Sequence, residues 1–218
     1  MLFIQRYWVF LLICGGVAFA YLYPSTPSDD GMSTASYSDP QEIDLNHVLD
    51  ITVDTIYAFE NMYGDKIKEL SAESADPSDL ENEAIWTFTT DLKVAYNNAM
   101  PALTPENISV QPMMDASFIG FKDSNLDDEW DQETEDALFQ IELDGERSRV
   151  IATSNSGAID EHHISGMPGF FGGYLMGSLL GRQMSSGVKS SDLAAKKPIS
   201  AKASAKARAG SGSYSRGK

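Results

Sequence analysis

The polar and apolar positions of this chain change period several times along its 218 residues. Residues 7–23, YWVFLLICGGVAFAYLY, carry no charge over seventeen positions. As a helix that run spans about 26 Å, near the roughly 30 Å of hydrocarbon in a bilayer. Tyr7, Trp8, Tyr21 and Tyr23 stand at its ends, where amphipathic rings favour the interface, and Pro24 stops it. Further on, Leu45, Val48, Leu49, Ile56, Phe59, Tyr63, Ile67 and Leu70 recur at three- and four-residue steps. That period predicts an amphipathic helix over 41–70 with a break near Gly64. Ser78 and Glu81 make a capping box for a second helix over 79–100, whose Leu80, Ile85, Phe88, Leu92 and Tyr96 would face the first. Beyond Pro105 the pattern is that of strands: ISV from Ile108, SFIGF over 117–121, LFQIEL over 138–143 and RVIAT over 149–153. Asp144-Gly145 favours a type I′ hairpin, in a register that sets Glu142 opposite Arg147.

The fold class that follows is α+β. The expected order is an N-terminal signal-anchor transmembrane helix (1–23), a linker (24–40), an acidic extracytoplasmic domain of two helices and a three-stranded antiparallel meander (41–163), a glycine-rich hydrophobic segment (164–184) and a disordered basic tail (185–218).

Within the glycine-rich segment, GFFGGYLMGSLLG places Gly169, Gly173, Gly177 and Gly181 four residues apart. A helix would gather them on one face and let another helix approach closely. The spacing resembles the glycine-zipper segments of bacterial envelope proteins, and the resemblance implies assembly with further copies or with other membrane helices. From Met167 to Gly181 fifteen residues are uncharged, about 22 Å of helix, so the segment is a short candidate for a second membrane crossing.

Charge adds a direction. The formal net charge is −16, yet the stretch from Arg182 to Lys218 holds nine Lys or Arg against Asp192 alone. Arg6 before the apolar run and acids after it place the N-terminus in the cytoplasm and the acidic domain in the periplasm or outside, with the bacterial inner membrane as the site, in a single or double pass. The basic tail suits anionic lipid or an acidic partner, and with Tyr214 as its one aromatic it lacks the interleaved rings of a specific nucleic-acid surface. Ala18-Phe19-Ala20 offers a competing processing site that would release the rest of the chain. The one cysteine, Cys14, lies inside the apolar run, so the acidic domain forms no disulfide.

Candidate chemistry is sparse. Asp123, Asn125, Asp127 and Asp131 occupy positions 1, 3, 5 and 9 of a calcium-loop numbering, with Glu135 one residue late for the bidentate ligand. Asp128 replaces the usual glycine and Thr134 the final acid, so an EF-hand is excluded and two readings stand, a loose single-loop calcium site and a solvated acidic hairpin loop that keeps the sheet edge soluble. Asp160, Glu161, His162 and His163 read as a polar turn, since adjacent imidazoles point in different directions and suit one metal badly. The chain has no GxSxG elbow, phosphate-binding glycine loop or HExxH pair. The reading is a non-enzymatic membrane-anchored envelope protein that displays an acidic binding or scaffolding domain and assembles through the glycine segment. Two alternatives stand beside it: a small pore-forming or membrane-perturbing assembly, and a secreted acidic binding protein after cleavage.

Overall fold

Contacts divide the chain into two units, Met1–Pro40 and Gln41–Lys218. The computed structural model describes residues 43–73, 77–164 and 173–200, all in the second unit. The apolar run 7–23, Gly169 and residues 201–218 lie outside the described residues.

Helix α1, Leu45–Phe59, opens at Asp44, whose carboxylate accepts from the amides of Asn46 at 3.0 Å and His47 at 3.3 Å. It passes into a π-helical turn, Glu60–Gly64, and continues as α2, Asp65–Glu73. The break expected near Gly64 is therefore a widening of the helix rather than an interruption. Helix α3, Pro77–Asn97, begins at a proline, whose missing amide proton costs nothing in a first turn. Leu80, Ile85, Phe88, Leu92 and Tyr96 are all buried, as their spacing predicts.

Five strands follow in a simple antiparallel meander, β1-β2-β3-β4-β5: Ile108–Pro112, Phe118–Lys122, Ala137–Asp144, Arg149–Ser154 and Ile159–His163. The α+β class holds, while the three-stranded meander expected from sequence is corrected to five strands. Helices α1 and α3 pack against one face of the sheet. Rings step through the interface edge to face, Tyr63 to Phe59 at 5.1 Å, Phe59 to Phe88 at 5.6 Å and Phe88 to Phe118 at 5.5 Å, with Tyr96 on Phe139 at 5.1 Å. Such pairs add about 0.5–1.5 kcal/mol each beyond area burial. Gly120 lies opposite Phe139, and a Cβ there would fall inside the Phe139 ring. The buried Tyr96 hydroxyl meets Thr52 Oγ1 at 2.6 Å, which satisfies both groups.

The β3–β4 connection also departs from expectation. Residues 145–148 form a four-residue turn, so Asp144 pairs with Arg149 and Glu142 with Ile151, not with Arg147. Asp144 holds the turn in place by accepting from the Arg147 amide at 3.2 Å, and Ser148 takes φ +50.

Chain expected to be membrane segment or disordered tail completes the domain. Helix α4, Tyr174–Ser185, buries Leu175, Met176, Leu179 and Gln183, and Gln183 Nε2 donates to the Leu143 carbonyl at 2.8 Å. Helix α5, Ser190–Ala195, buries Leu193, and Ile199 forms a two-way backbone bridge with Ile159. Residues 185–200, expected to belong to a disordered tail, thus carry the end of α4, helix α5 and a strand bridge, while the rest of that expected tail, 201–218, lies outside the described residues. Among the described residues no helix is long and apolar enough to cross a membrane.

Candidate functional site

The acidic loop joins β2 to β3 at the end of the sheet where β5 also begins. Its neck is closed by the Lys122 amide on the Asp136 carbonyl, 3.0 Å, and by the Asp123 amide on the Asn107 carbonyl, 3.0 Å. Inside, the residues read as cation ligands serve the loop's own backbone. Asp123, buried, accepts from the amides of Leu126 at 2.6 Å and Asp128 at 3.3 Å. Glu135, also buried, accepts from Ser124 at 3.0 Å and Asp131 at 3.2 Å. Asn125 Oδ1 takes the Asp127 amide at 3.1 Å, and Asp127 Oδ1 takes the Glu129 amide at 2.9 Å. Asp131 accepts from the Glu133 amide at 3.0 Å and from Thr134 Oγ1 at 2.8 Å, bonds that hold its carboxyl below the usual range. The structure therefore buries Asp123 and Glu135 inside the loop and leaves Asn125, Asp127 and Asp131 exposed, with the Asp131 amide tied to Glu135. Among the described residues no group of three or more His, Cys, Asp or Glu side chains is arranged to hold a metal ion.

The loop leans on α3 and β1. Asp128 forms an ion pair with Lys93 and a hydrogen bond with Ser109, and the Lys93 bond comes first among the causes that lower its pKa. The Trp130 amide donates to Gln111 Oε1 at 2.8 Å. Leu126 and Asp128 both take φ +64, a left-handed conformation unusual for either, and Leu126 is 70% exposed at the tip. The loop is thus a hydrogen-bonded acidic projection with Leu126 exposed at its tip.

A second polar centre, not foreseen from sequence, surrounds Glu60 in the π-helical turn. Its carboxylate reaches across to the start of α4 and accepts from the amides of Tyr174 at 3.1 Å and Met176 at 3.0 Å, the role of an N-cap supplied from another helix. A Cβ at Gly64 or Gly173 would collide with that carboxylate. Burial pushes the Glu60 pKa up, against the amides of Met176, Tyr174 and Leu175 that favour the charge. Gly173 is thus required for this contact, whereas Gly177 and Gly181 are exposed and meet nothing within 4 Å. At the far end of α4, Arg182 binds Glu81 and Asn82 of α3.

The third centre lies on the sheet face opposite α1 and α3. Register places Glu142, Ile151 and Glu161 in one row, with Asp144, Arg149 and His163 in the next. Arg149 is buried, with Nε on Asp144 at 2.9 Å and Nη1 on Glu161. Burial alone would lower the Arg149 pKa, and the bonds to Asp144 and Glu161 outweigh it. Glu161 is likewise opposed by burial, but Arg149 and His163 hold it below its ordinary value. Polar turn residues 160–163 are in fact strand β5, and His162 turns away to Asp50 of α1 at 3.1 Å.

Asp91 stands apart on α3: burial raises its pKa to about 6. A shallow depression of about 340 Å³ lies between Tyr96, Asn97, Thr104 and Glu106. Neither joins the three polar centres. What the arrangement offers chemically is charge and shape: fixed carboxylates, an exposed Leu126 and an exposed Trp86 on α3.

No family model, no curated protein and no solved structure matches this chain.

Proposed function

We propose that the chain is a non-enzymatic, membrane-anchored protein of the bacterial envelope, held by residues 7–23 in a single pass, whose acidic α+β domain serves as a binding or scaffolding module outside the cytoplasmic membrane. The observation that carries this reading is the position of residues 174–200. Leu175, Met176 and Leu179 are buried in the domain, and the segment beyond is stitched to β5 through Ile199. That packing gives the large apolar side chains of α4 a protein environment and leaves 7–23 as the segment suited to lipid. The basic residues from Lys202 onward then start on the domain's side, where anionic lipid head groups or an acidic partner meet them. The test replaces Leu11 and Leu12 with Asp in the full chain. The altered chain should leave carbonate-washed membranes for the soluble fraction, and retention equal to that of the unaltered chain would refute the anchor.

The Ala18-Phe19-Ala20 site supports a second reading, a secreted binding protein. The intact mass of the mature chain separates the two, because cleavage there leaves a chain beginning at Tyr21.

A further inference from the structure

The face around Arg149 has the features of a peptide groove, and the chain fills it with its own residues 193–199. Nη2 of Arg149 donates to the Leu193 carbonyl at 2.7 Å and Nη1 to the Lys196 carbonyl at 3.1 Å. Lys196 forms an ion pair with Glu142 on the row beside Arg149. Leu193 is buried, the one residue of 190–200 that is. Ile199 exchanges both backbone hydrogen bonds with Ile159 on the outer edge of β5, at 2.8 and 2.7 Å. Guanidinium bonds to main-chain carbonyls, one apolar socket, one acidic subsite for a lysine and a strand edge make up a mode of recognition suited to extended peptides.

The bound segment is short and continuous. All of these contacts fall within seven residues, Leu193 to Ile199, and the link from α4 runs through 186–189, where Gly187 takes φ +86. Residues 186–192, drawn out, reach about 23 Å. We infer that the groove accepts residues 193–199 of a second copy of this chain, so that two copies exchange their C-terminal straps. Exchange preserves the contacts of Leu193 to Ile199 and gives up the first turn of α5 with the Arg147 bond to the Ser190 carbonyl, which makes it a low-cost route to a two-fold dimer. The closed form competes with an effective concentration set by the short link, so exchange grows as copies are concentrated. The inference does not depend on the anchored reading.

The test uses full-length chains with Cys14→Ser in detergent. Ile159 and Ile199 form a hydrogen-bonded antiparallel pair, whose Cα atoms lie about 5.5 Å apart, within disulfide range. A chain with Ile159→Cys is mixed at high concentration with one carrying Ile199→Cys, and mild oxidant is added. A cross-chain disulfide joining these two positions is expected, in several-fold excess over a mixture of Ile199→Cys with Asn155→Cys, and lost when a synthetic peptide of residues 190–200 is added. A single chain carrying both cysteines closes on itself and shows that the geometry holds. If that control oxidises while the mixture yields no more cross-chain product than the Asn155 pair, strap exchange is refuted.

Discussion

The three described glycines of the zipper spacing should behave in opposite ways on mutation. Gly177 and Gly181 lie inside α4, exposed, with nothing within 4 Å of an added Cβ. Glycine costs about 1 kcal/mol against alanine in a helix interior, so Gly177→Ala and Gly181→Ala should each stabilise the domain by about 0.5–1 kcal/mol. Gly173 precedes the helix, and its added methyl would occupy the place of the Glu60 carboxylate. Evicting that carboxylate uncaps Tyr174 and Met176, a loss of about 1–2 kcal/mol. Urea unfolding of full-length chain in mild detergent reads both signs. With m near 1–3 kcal/mol/M, a change of about 1 kcal/mol moves the midpoint by roughly 0.3–1 M. The cause is separable by a double-mutant cycle: in a Glu60→Ala background the Gly173→Ala penalty should shrink to a few tenths of a kcal/mol. If Gly177→Ala destabilises as much as Gly173→Ala, or if the Gly173 penalty persists without Glu60, the capping account is wrong and the glycines act through another contact.

Other perturbations probe the remaining centres. Gly120→Ala drives a methyl into the Phe139 ring and should lower stability by about 1–3 kcal/mol, read as a reduced urea midpoint. Asp91 has a folded pKa raised from 3.8 to about 6, so its ionisation opposes folding and stability is gained as pH falls through that window. Asp91→Asn should therefore be more stable than the unaltered chain at neutral pH, by about 1 kcal/mol after discounting for solvent screening. The difference should vanish below pH 3.8. Glu161 has the opposite sign: its pKa is lowered from 4.5, so its contribution is full above that value and lost as pH falls through the depressed folded value. Hydrogen-exchange protection of the Ile159 and Ile199 amides should accordingly hold above pH 4.5 and fall only below it.

Much of this fold was legible in the residue pattern, and the exceptions have physical causes. The three- and four-residue spacing of α1 and α3 reports a buried stripe, and those positions are buried. Strand β5 escaped because Ile-Asp-Glu-His-His has no apolar alternation; its residues lie on an edge and pair through Arg149 and Asp50 instead. The β3–β4 register escaped because Asp144 anchors a four-residue turn, which shifts every cross-strand partner by comparison with a two-residue hairpin. Oxygen side chains at alternate positions of 123–131 read as calcium ligands, but the same spacing serves turns in which Asp and Asn accept from amides two or three residues on. Glu60 gave no local signal at all, since its partners lie more than a hundred residues away in the chain. The pair Gly64 and Gly173 is the trace it leaves in the sequence, intelligible only once the carboxylate between them is seen.

The most direct test of the account asks whether the acidic domain and the chain's C-terminus share one side of the membrane. Single cysteines at Ser36, Asn155 and Ser213 in a Cys14→Ser background would be exposed in intact cells to a membrane-impermeant maleimide. Labelling at all three is the predicted result. Protection of position 213 alone would mean that the chain crosses again through the glycine segment, which contradicts the packing of Leu175, Met176 and Leu179 in the domain.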